Sequence, residues 1–440
     1  MKRFLLAYLA LVALAWGWAL PLAGAGTAPP SAWALREHAL TLTGLWAFAL
    51  MSLAMVLATR PARLEGVFGG MDRIYRVHKW AGILAIGLAA LHWLIELSDG
   101  LIKAFFGRDG RLPKDHGSGL FEAMRDLGEE FGELAVYALL AMLVLTLWKR
   151  FPFRLWRYLH KIMPVLYLML AFHAAFLAPI AYWTQPVGVV LGLLIACGSA
   201  ASIHALAGWI GRSRRSAGVI ESVGEPAPGL TRVRCRLDAP WPGHRPGQFA
   251  FVAFDRVEGD HPFTIASADR GDRRVTFEIK ALGDYTRGLA RRLQAGARMT
   301  AEGPYGRFNL APDDSGRPQI WVAGGIGVTP FLAWLEALQD APAQAPDADL
   351  YYCVRSRDDD PFVGRLEALT RTLPSVRLHV VSSQQGERLD ARRLGARAPG
   401  CAQAAVWFCG PHGLLDALRR ELAAAGLTGI RIRHEAFDMR

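Results

Sequence analysis

The stretch RVHKWAGILAIGLAALHWLIE, residues 76–96, decides the fold. It is apolar enough to lie in lipid, yet it carries His78 and His92. Ionisable side chains are costly in the hydrocarbon core and mark function where they occur. Fourteen residues at about 100° each end about 40° short of four full turns, so the two histidines occupy one helix face. The same fourteen residues rise about 21 Å, which sets the two imidazoles near opposite sides of a hydrocarbon core about 30 Å thick.

Outward from this stretch, apolar runs lie at roughly 4–24, 38–58, 74–97, 132–148, 158–178 and 186–210. Each approaches the about 17–25 residues that cross a bilayer as a helix. The first follows Met1-Lys2-Arg3 and also has the form of a signal peptide, with small residues from Ala23 to Ala25. With five further spans behind it, it reads as an uncleaved first span. Six spans return both ends of the bundle to one side. Arg60, Arg63, Arg73, Arg76 and Lys79 flank one loop, and Lys149, Arg150, Arg154, Arg157 and Lys161 another, which makes both cytoplasmic. The loop from Ser98 to Phe131 also holds five basic residues, but they are interleaved with more acids and the loop is longer, so it counts for less.

The fifth span repeats the histidine pattern with His160 and His173, thirteen apart. An ideal helix leaves these about 140° out of line, and Pro164 between them is expected to kink the helix and change its phase. A lone buried histidine reads first as a group bonded to a carbonyl, and His204 in the sixth span takes that reading. Four histidines at two near-equal spacings on two helices read instead as two bis-imidazole sites. Neutral imidazole is a good ligand for haem iron, and a b-type haem fits between the helices of a bundle.

The net charge of +11 points to no nucleic-acid partner, because no basic patch is interleaved with aromatics. Clusters such as Arg212, Arg214 and Arg215 flank apolar runs instead, as at a cytoplasmic membrane edge. Cysteines 197, 235, 353, 401 and 409 have no CxxC spacing and read as reduced thiols.

After residue 211 the text changes. Short strands (VIESV, LTRVRCRL, GQFAFVAF, RVTFEIKAL) separated by glycine and proline predict an antiparallel barrel as far as about Leu310. Beyond Pro318, strand and helix alternate through QIWVAGGIGVTPFLAWLEAL, DLYYCVRS, VRLHVVSS and AAVWFCGPHGLLDALRREL, which predicts a parallel sheet with a ligand at its carboxyl edge. The glycines of AGGIGVTP suit a backbone approaching a pyrophosphate at a helix start, or a plain tight turn. The expected fold is multidomain: a six-helix transmembrane bundle over 1–211, an antiparallel β-barrel FAD domain over 216–312, and an α/β parallel-sheet nucleotide-binding domain over 318–440.

The ordered motifs HPFT, GDYT, GPYG, GGIGVTP and CGP make the second half similar to the ferredoxin–NADP reductase superfamily. With six spans and histidine spacings of fourteen and thirteen, nearly the whole chain resembles the NADPH oxidase and ferric reductase family. That resemblance implies FAD, two b haems and NADPH (rather than NADH) as cofactors. It sets His261 and Pro262 near the FAD pyrophosphate, Phe263 on the isoalloxazine, and the Thr264 hydroxyl near flavin N5. Gly283 and Thr286 would hold phosphate, with Lys280 adding charge. Gly324, Gly325, Gly327, Thr329 and Pro330 resemble the NADPH pyrophosphate loop. Cys409, Gly410 and Pro411 resemble the motif beside the nicotinamide. Phe437 takes the place of the aromatic covering the other flavin face, although three residues follow it here. Arg355 and Arg357, after the strand DLYYCV, stand where a 2′-phosphate would meet cations.

The implied activity is electron transfer from cytosolic NADPH through FAD and two haems to an acceptor across a bacterial inner membrane. Position 96, four after His92, is Glu96, where the family's superoxide producers commonly have a second histidine. A carboxylate there leans towards ferric-chelate reduction over superoxide production from O2. A flavin reductase merely anchored in the membrane and serving a protein partner, and a non-enzymatic haem protein, are the alternatives.

Overall fold

The computed structural model describes residues 2–22, 31–108, 119–148, 150–255, 259–310, 318–395, 404–424 and 432–434. The chain divides into two compact units, Met1–Ile210 and Gly211–Arg440.

The first unit is helical: α1 (Lys2–Leu22), α2 (Ala32–Ala58), α3 (Ala62–Phe68), α4 (Met71–Leu97), α5 (Asp99–Phe106), α6 (Leu120–Leu147), α7 (Phe153–His160), α8 (Met163–Leu177) and α9 (Pro186–Leu206). Six segments are long and apolar enough to cross a membrane, with α7 and α8 together forming the fifth. Helix α4 runs unbroken through both of its histidines. The fifth span differs from a kinked helix, because it is broken. Helix α7 ends at His160, and α8 restarts at Met163 with Pro164 in its first turn. A proline there gives up only an N–H that has no helical partner, whereas mid-helix it would clash.

One buried polar cluster of the bundle is satisfied internally, as lipid demands. The buried Tyr167 hydroxyl donates to the Leu194 carbonyl at 2.8 Å and lies 2.9 Å from Ser52 Oγ, while Ser52 bonds back to the Phe48 carbonyl. The Phe48 ring stacks on Tyr167.

The second unit has two sheets. The first contains β1 (Arg215–Ala227), β2 (Leu230–Leu237), β3 (Phe249–Ala253), β4 (His261–Thr264), β5 (Arg274–Lys280) and β6 (Arg298–Tyr305), in the order β4-β3-β6-β1-β2-β5. A single turn of helix, α10 (Leu289–Arg292), precedes β6. The strand pairings are antiparallel, but this is not the closed barrel the strand pattern predicts. The edge strands β4 and β5 share no ladder, and one isolated bridge, Ile265 to Phe277, links that side. Alternation in β2 buries Val233, Cys235 and Leu237 against Ile220, Phe277 and Ile279.

The second sheet is parallel: β7 (Gln319–Gly324), β8 (Ala348–Val354), β9 (Val376–Ser382), β10 (Ala405–Cys409) and β11 (Ile432–His434), in the order β11-β10-β7-β8-β9. Helices α11 (Thr329–Asp340), α12 (Val363–Arg371), α13 (Ala391–Gly395) and α14 (His412–Ala424) complete it. Every residue of β7 is buried, as a central parallel strand covered on both faces requires. Trp321, Phe331 and Trp334 fill one side of this sheet, and Ile320, Val322, Phe408 and Leu415 the other.

Candidate functional site

In the bundle, the four histidines meet as two pairs. The His78 and His160 rings stand 6.1 Å apart at 81°, and the His92 and His173 rings 6.3 Å apart at 84°. With about 2 Å for a metal–imidazole bond and about 1 Å more to each ring centre, two imidazoles on opposite faces of one iron stand about 6 Å apart. Both pairs fit that geometry. The break after His160 removes the phase problem of the fifth span, since the two histidines belong to separate helices.

Three of the rings are oriented by backbone. His78 Nδ1 lies 2.9 Å from the Ala54 carbonyl, His92 Nδ1 2.9 Å from that of Leu40, and His173 Nδ1 2.9 Å from that of Gly128. A carbonyl accepts only, so Nδ1 carries the proton and Nε2 keeps its lone pair free, the tautomer that a metal-binding histidine uses. His160 is instead stacked on Trp156, with ring centres 4.8 Å apart.

Sequence reasoning missed the glycines that seat these rings. A Cβ on Gly44 of α2 would lie 2.9 Å from both Cε1 and Nδ1 of His92, and one on Gly132 of α6 would lie 2.6 Å from His173 Cε1. On Gly128 it would lie 2.6 Å from Leu177 Cδ1. Glycines inside apolar helices, where they are locally unfavourable, were the available signal. Glu96 is not a free carboxylate either. Arg36 Nη2 donates to its Oε2 at 2.8 Å, and the same guanidinium bonds the Ile95 and Glu96 carbonyls. Among the described residues, no group of three or more His, Cys, Asp or Glu side chains converges to hold a metal ion.

In the second unit, two of the segments read as flavin-binding come together. His261, at the start of β4, stacks face to face on Tyr285 of the GDYT turn, 3.9 Å apart at 7°. Phe263 stands between Phe254 and Phe277, and Thr264 is buried opposite Phe249 in the β3–β4 ladder. The Thr286 hydroxyl closes its own turn. It accepts from the Leu282 and Gly283 amides at 2.9 and 3.1 Å and donates to the Gly283 carbonyl. Lys280 ends β5 exposed, opposite Leu230.

The GGIG and CGP motifs meet because β7 and β10 are neighbours, with Cys409 paired to Ala323. The glycines there do different work. A Cβ on Gly324 would strike Pro411 Cδ at 2.7 Å, and one on Gly327 would strike the Cys409 carbonyl and lie 2.8 Å from the Gly410 amide. Those two glycines let the motifs pack backbone to backbone. Gly325 alone has a positive φ, 53°, and faces open space, so it is the position where a pyrophosphate could approach. Thr329 is buried and donates to the Ile326 carbonyl at 3.1 Å, and Pro330 opens α11. Burial pushes the Cys353 and Cys235 thiols up to about 12, so they are inert; Cys409 is buried too. Phe437 and Cys401 lie outside the described residues.

Arg355 follows β8 exposed, while Arg357 donates to Glu367 Oε1 at 3.0 Å. Of the acids after them, Asp360 is taken up by the Tyr352 hydroxyl and the Phe362 amide, each at 3.0 Å. Contacts between the two sheets, illegible in the sequence, include Trp334 Nε1 donating to the Pro246 and Phe308 carbonyls and Arg365 bridging Glu278 and Glu336. They bring the glycine turn against β5.

Comparison with known proteins agrees with this architecture. Residues 43–171 match the ferric reductase like transmembrane component, 233–309 an FAD-binding domain, and 321–420 the oxidoreductase NAD-binding domain. The carnitine monooxygenase reductase subunit of Escherichia coli (strain K12) is 33% identical over 153 residues, 34% of this chain and 44% of that protein. The ferredoxin–NAD(P)(+) reductase component of the naphthalene 1,2-dioxygenase/salicylate 5-hydroxylase systems of Ralstonia sp is 28% identical over 229 residues, 50% of this chain and 68% of that protein. The chain thus spans under half the length of the first of these relatives. A flavohemoglobin from Malassezia yamatoensis shares the fold at a TM-score of 0.50 and 17% identity, covering 91% of this chain and 97% of that one. Three matched domains in this order, beginning within six apolar helices, give the chain a ferric reductase-like transmembrane component followed by FAD-binding and oxidoreductase NAD-binding domains, the make-up of an integral membrane protein with a flavin and nicotinamide module.

Proposed function

We propose that the chain moves electrons from cytosolic NADPH through FAD and two b haems to a small acceptor across a bacterial inner membrane. The observation that carries this reading is the two imidazole pairs, 6.1 and 6.3 Å apart, with three of the four rings anchored through Nδ1. When bound, the flavin turns a two-electron hydride into single electrons and the haem irons relay them. The chain's own residues do the rest. His78 and His160 ligate the inner iron, and His92 and His173 the outer. His261, Pro262 and Phe263 hold the flavin, with Lys280 and the Gly283–Thr286 turn beside its phosphates and Thr264 and Phe437 beside its ring. Gly325, with Thr329 and Pro330 behind it, admits the NADPH pyrophosphate. Arg355 and Arg357 meet the 2′-phosphate, and Cys409, Gly410 and Pro411 border the nicotinamide. The working boundaries are 1–211, 216–312 and 318–440, with the last two domains cytoplasmic.

With both imidazoles of a pair holding one haem, the iron would have no open position, and the acceptor would react at the haem edge. Ferric-chelate reduction is the reading taken first, because Glu96, 55% exposed, presents a carboxylate at the His92 end. Negative charge there repels superoxide and draws metal-bearing or cationic acceptors. The Arg36–Glu96 ion pair offsets that charge and favours superoxide production as the second reading. A reduced-minus-oxidised spectrum of the purified protein with flavin and haem assays tests the core reading: two haems and one FAD per chain, reduced by NADPH, are expected. A chain that binds FAD but no haem sinks it. NADPH oxidation with and without ferric chelate, alongside superoxide dismutase-sensitive dye reduction, decides between the acceptors.

A further inference from the structure

Helices α2 and α6 carry the same arrangement at the His92–His173 site. On α2, Arg36, Leu40 and Gly44 follow at intervals of four, within about 80° of one another around the axis. The Leu40 carbonyl bonds His92, and Gly44 makes room for its ring. On α6, Arg125, Gly128 and Gly132 follow at intervals of three and four, within about 60°. The Gly128 carbonyl bonds His173, and Gly132 makes room for it. Each axial histidine is thus held by one carbonyl and one glycine, with an arginine a turn further towards the same end of the bundle.

The two arginines differ in what they meet. Arg36 is satisfied by Glu96 and by two backbone carbonyls. Arg125 Nη1 is buried and has no hydrogen-bond partner among the described residues. Neighbouring Asp126, Glu129 and Glu130 are exposed, and none of them pairs with it. A guanidinium keeps its charge in any protein, and inside a membrane such a charge needs an anion. The anion that the two-haem reading brings to this level is a carboxylate of the porphyrin, since haem b carries two propionates on one edge of its ring.

We infer that Arg125 binds a propionate of the haem held by His92 and His173, and so fixes the rotation of that ring about the iron axis. It is a positioning residue and rests on the two-haem reading above. A cation beside the ring also favours the reduced haem, which carries one more negative charge.

The test is a haem count and a redox titration of full-length wild type, Arg125→Gln and Arg125→Lys, with the resonance Raman propionate bending bands recorded on each. Arg125→Gln is expected to lose the outer haem in part, or to lower its midpoint by a tenfold change in the reduction equilibrium, about 59 mV for one electron. The propionate bands should shift, the inner haem should stay unchanged, and Arg125→Lys should recover most of the difference. In a His92→Leu background, Arg125→Gln should change nothing further in the remaining haem. Two retained haems with unchanged midpoints and propionate bands in Arg125→Gln overturn the inference and leave the two-haem reading standing. Equal damage to both haems, unrelieved by lysine, overturns it as well, because Arg125 would then support the bundle and not a propionate. A wild type without two haems overturns the reading beneath it.

Discussion

The two histidine pairs have nearly the same ring spacing and are held in different ways. His92 and His173 each bond a carbonyl and each press against a glycine on a neighbouring long helix. At the other pair, His78 bonds the Ala54 carbonyl from the unbroken helix α4, but His160 is the last residue of the short helix α7 and leans on Trp156. One pair is walled and pre-organised, with both rings fixed by backbone carbonyls. The other joins a fixed ring to one carried on a separate short helix, next to the Lys161–Ile162 break. Fixed ligands favour affinity and a single potential, because little ordering is left to do on binding.

The largest expected effect comes from removing a ligand outright. His92→Leu should abolish the outer haem, so that about half the haem of wild type remains, while NADPH still reduces the flavin. Pyridine haemochrome assay and stopped-flow flavin bleaching measure the two. Full haem retention in that variant would remove His92 from the ligand set.

The glycine seats sharpen the contrast between the sites. Alanine at an interior helix glycine ordinarily stabilises the helix by about 1 kcal/mol, so a loss must come from the imidazole it displaces. Gly132→Ala should cost most of the outer haem, and Gly44→Ala less, because its Cβ would approach His92 less closely. Gly87→Ala, on α4 with nothing within 4 Å, should leave both haems in place. Equal haem content in all three would show that the seats can yield.

What the sequence made legible and what it hid divide along physical lines. The spans, the four histidines and the alternation of strand and helix rest on periodicity, which is local and survives any packing. The partners of those groups are set by tertiary contact. Nothing near Gly44 announces His92, and nothing near Arg36 announces Glu96, sixty residues away. The proline at 164 was visible, but whether it bends or breaks a span depends on how the flanking turns pack. The glycine loop was legible as a loop. Its division into two packing glycines and one facing open space came from the Cys409–Pro411 strand end, more than eighty residues distant in a topology that no local pattern gives. The open edge between β4 and β5 was hidden for the same reason, since strand count alone does not tell a closed barrel from an open one.

In the nucleotide domain the expected effects are smaller, because the groups are solvent-facing. Arg355→Ala should raise the KM for NADPH roughly tenfold, as for one lost charge-assisted bond of about 1.5 kcal/mol, and leave the KM for NADH nearly unchanged. Arg357→Ala should do less, since Glu367 already engages that guanidinium. Steady-state kinetics with both nucleotides is the measurement. A parallel rise for NADH would mean that Arg355 holds a group the two share.

The smallest effect is a pH dependence in the same sheet. Asp349 on β8 receives Arg377 at 3.0 and 2.7 Å and lies 2.6 Å from His379 Nε2, both on β9. Burial pushes its carboxyl up, but the bonds from Arg377 and His379 outweigh that and hold it below the usual carboxylate range. The folded state therefore binds its proton less readily than the unfolded state, whose Asp titrates near about 3.9. Stability from this group is complete above that value and is lost as pH falls through the lower, folded one. Asp349→Asn should cost about 1 kcal/mol at neutral pH, because Arg377 is half exposed and keeps Asp347 as a second partner. In a unit of this size that is a Tm drop of about 2–4 °C. Thermal melts of the two proteins between pH 7 and pH 3 should show a constant gap down to about pH 4 and a narrowing one below it. A gap that widens with acid would mean that burial, and not the bonds from Arg377 and His379, sets the carboxyl's behaviour.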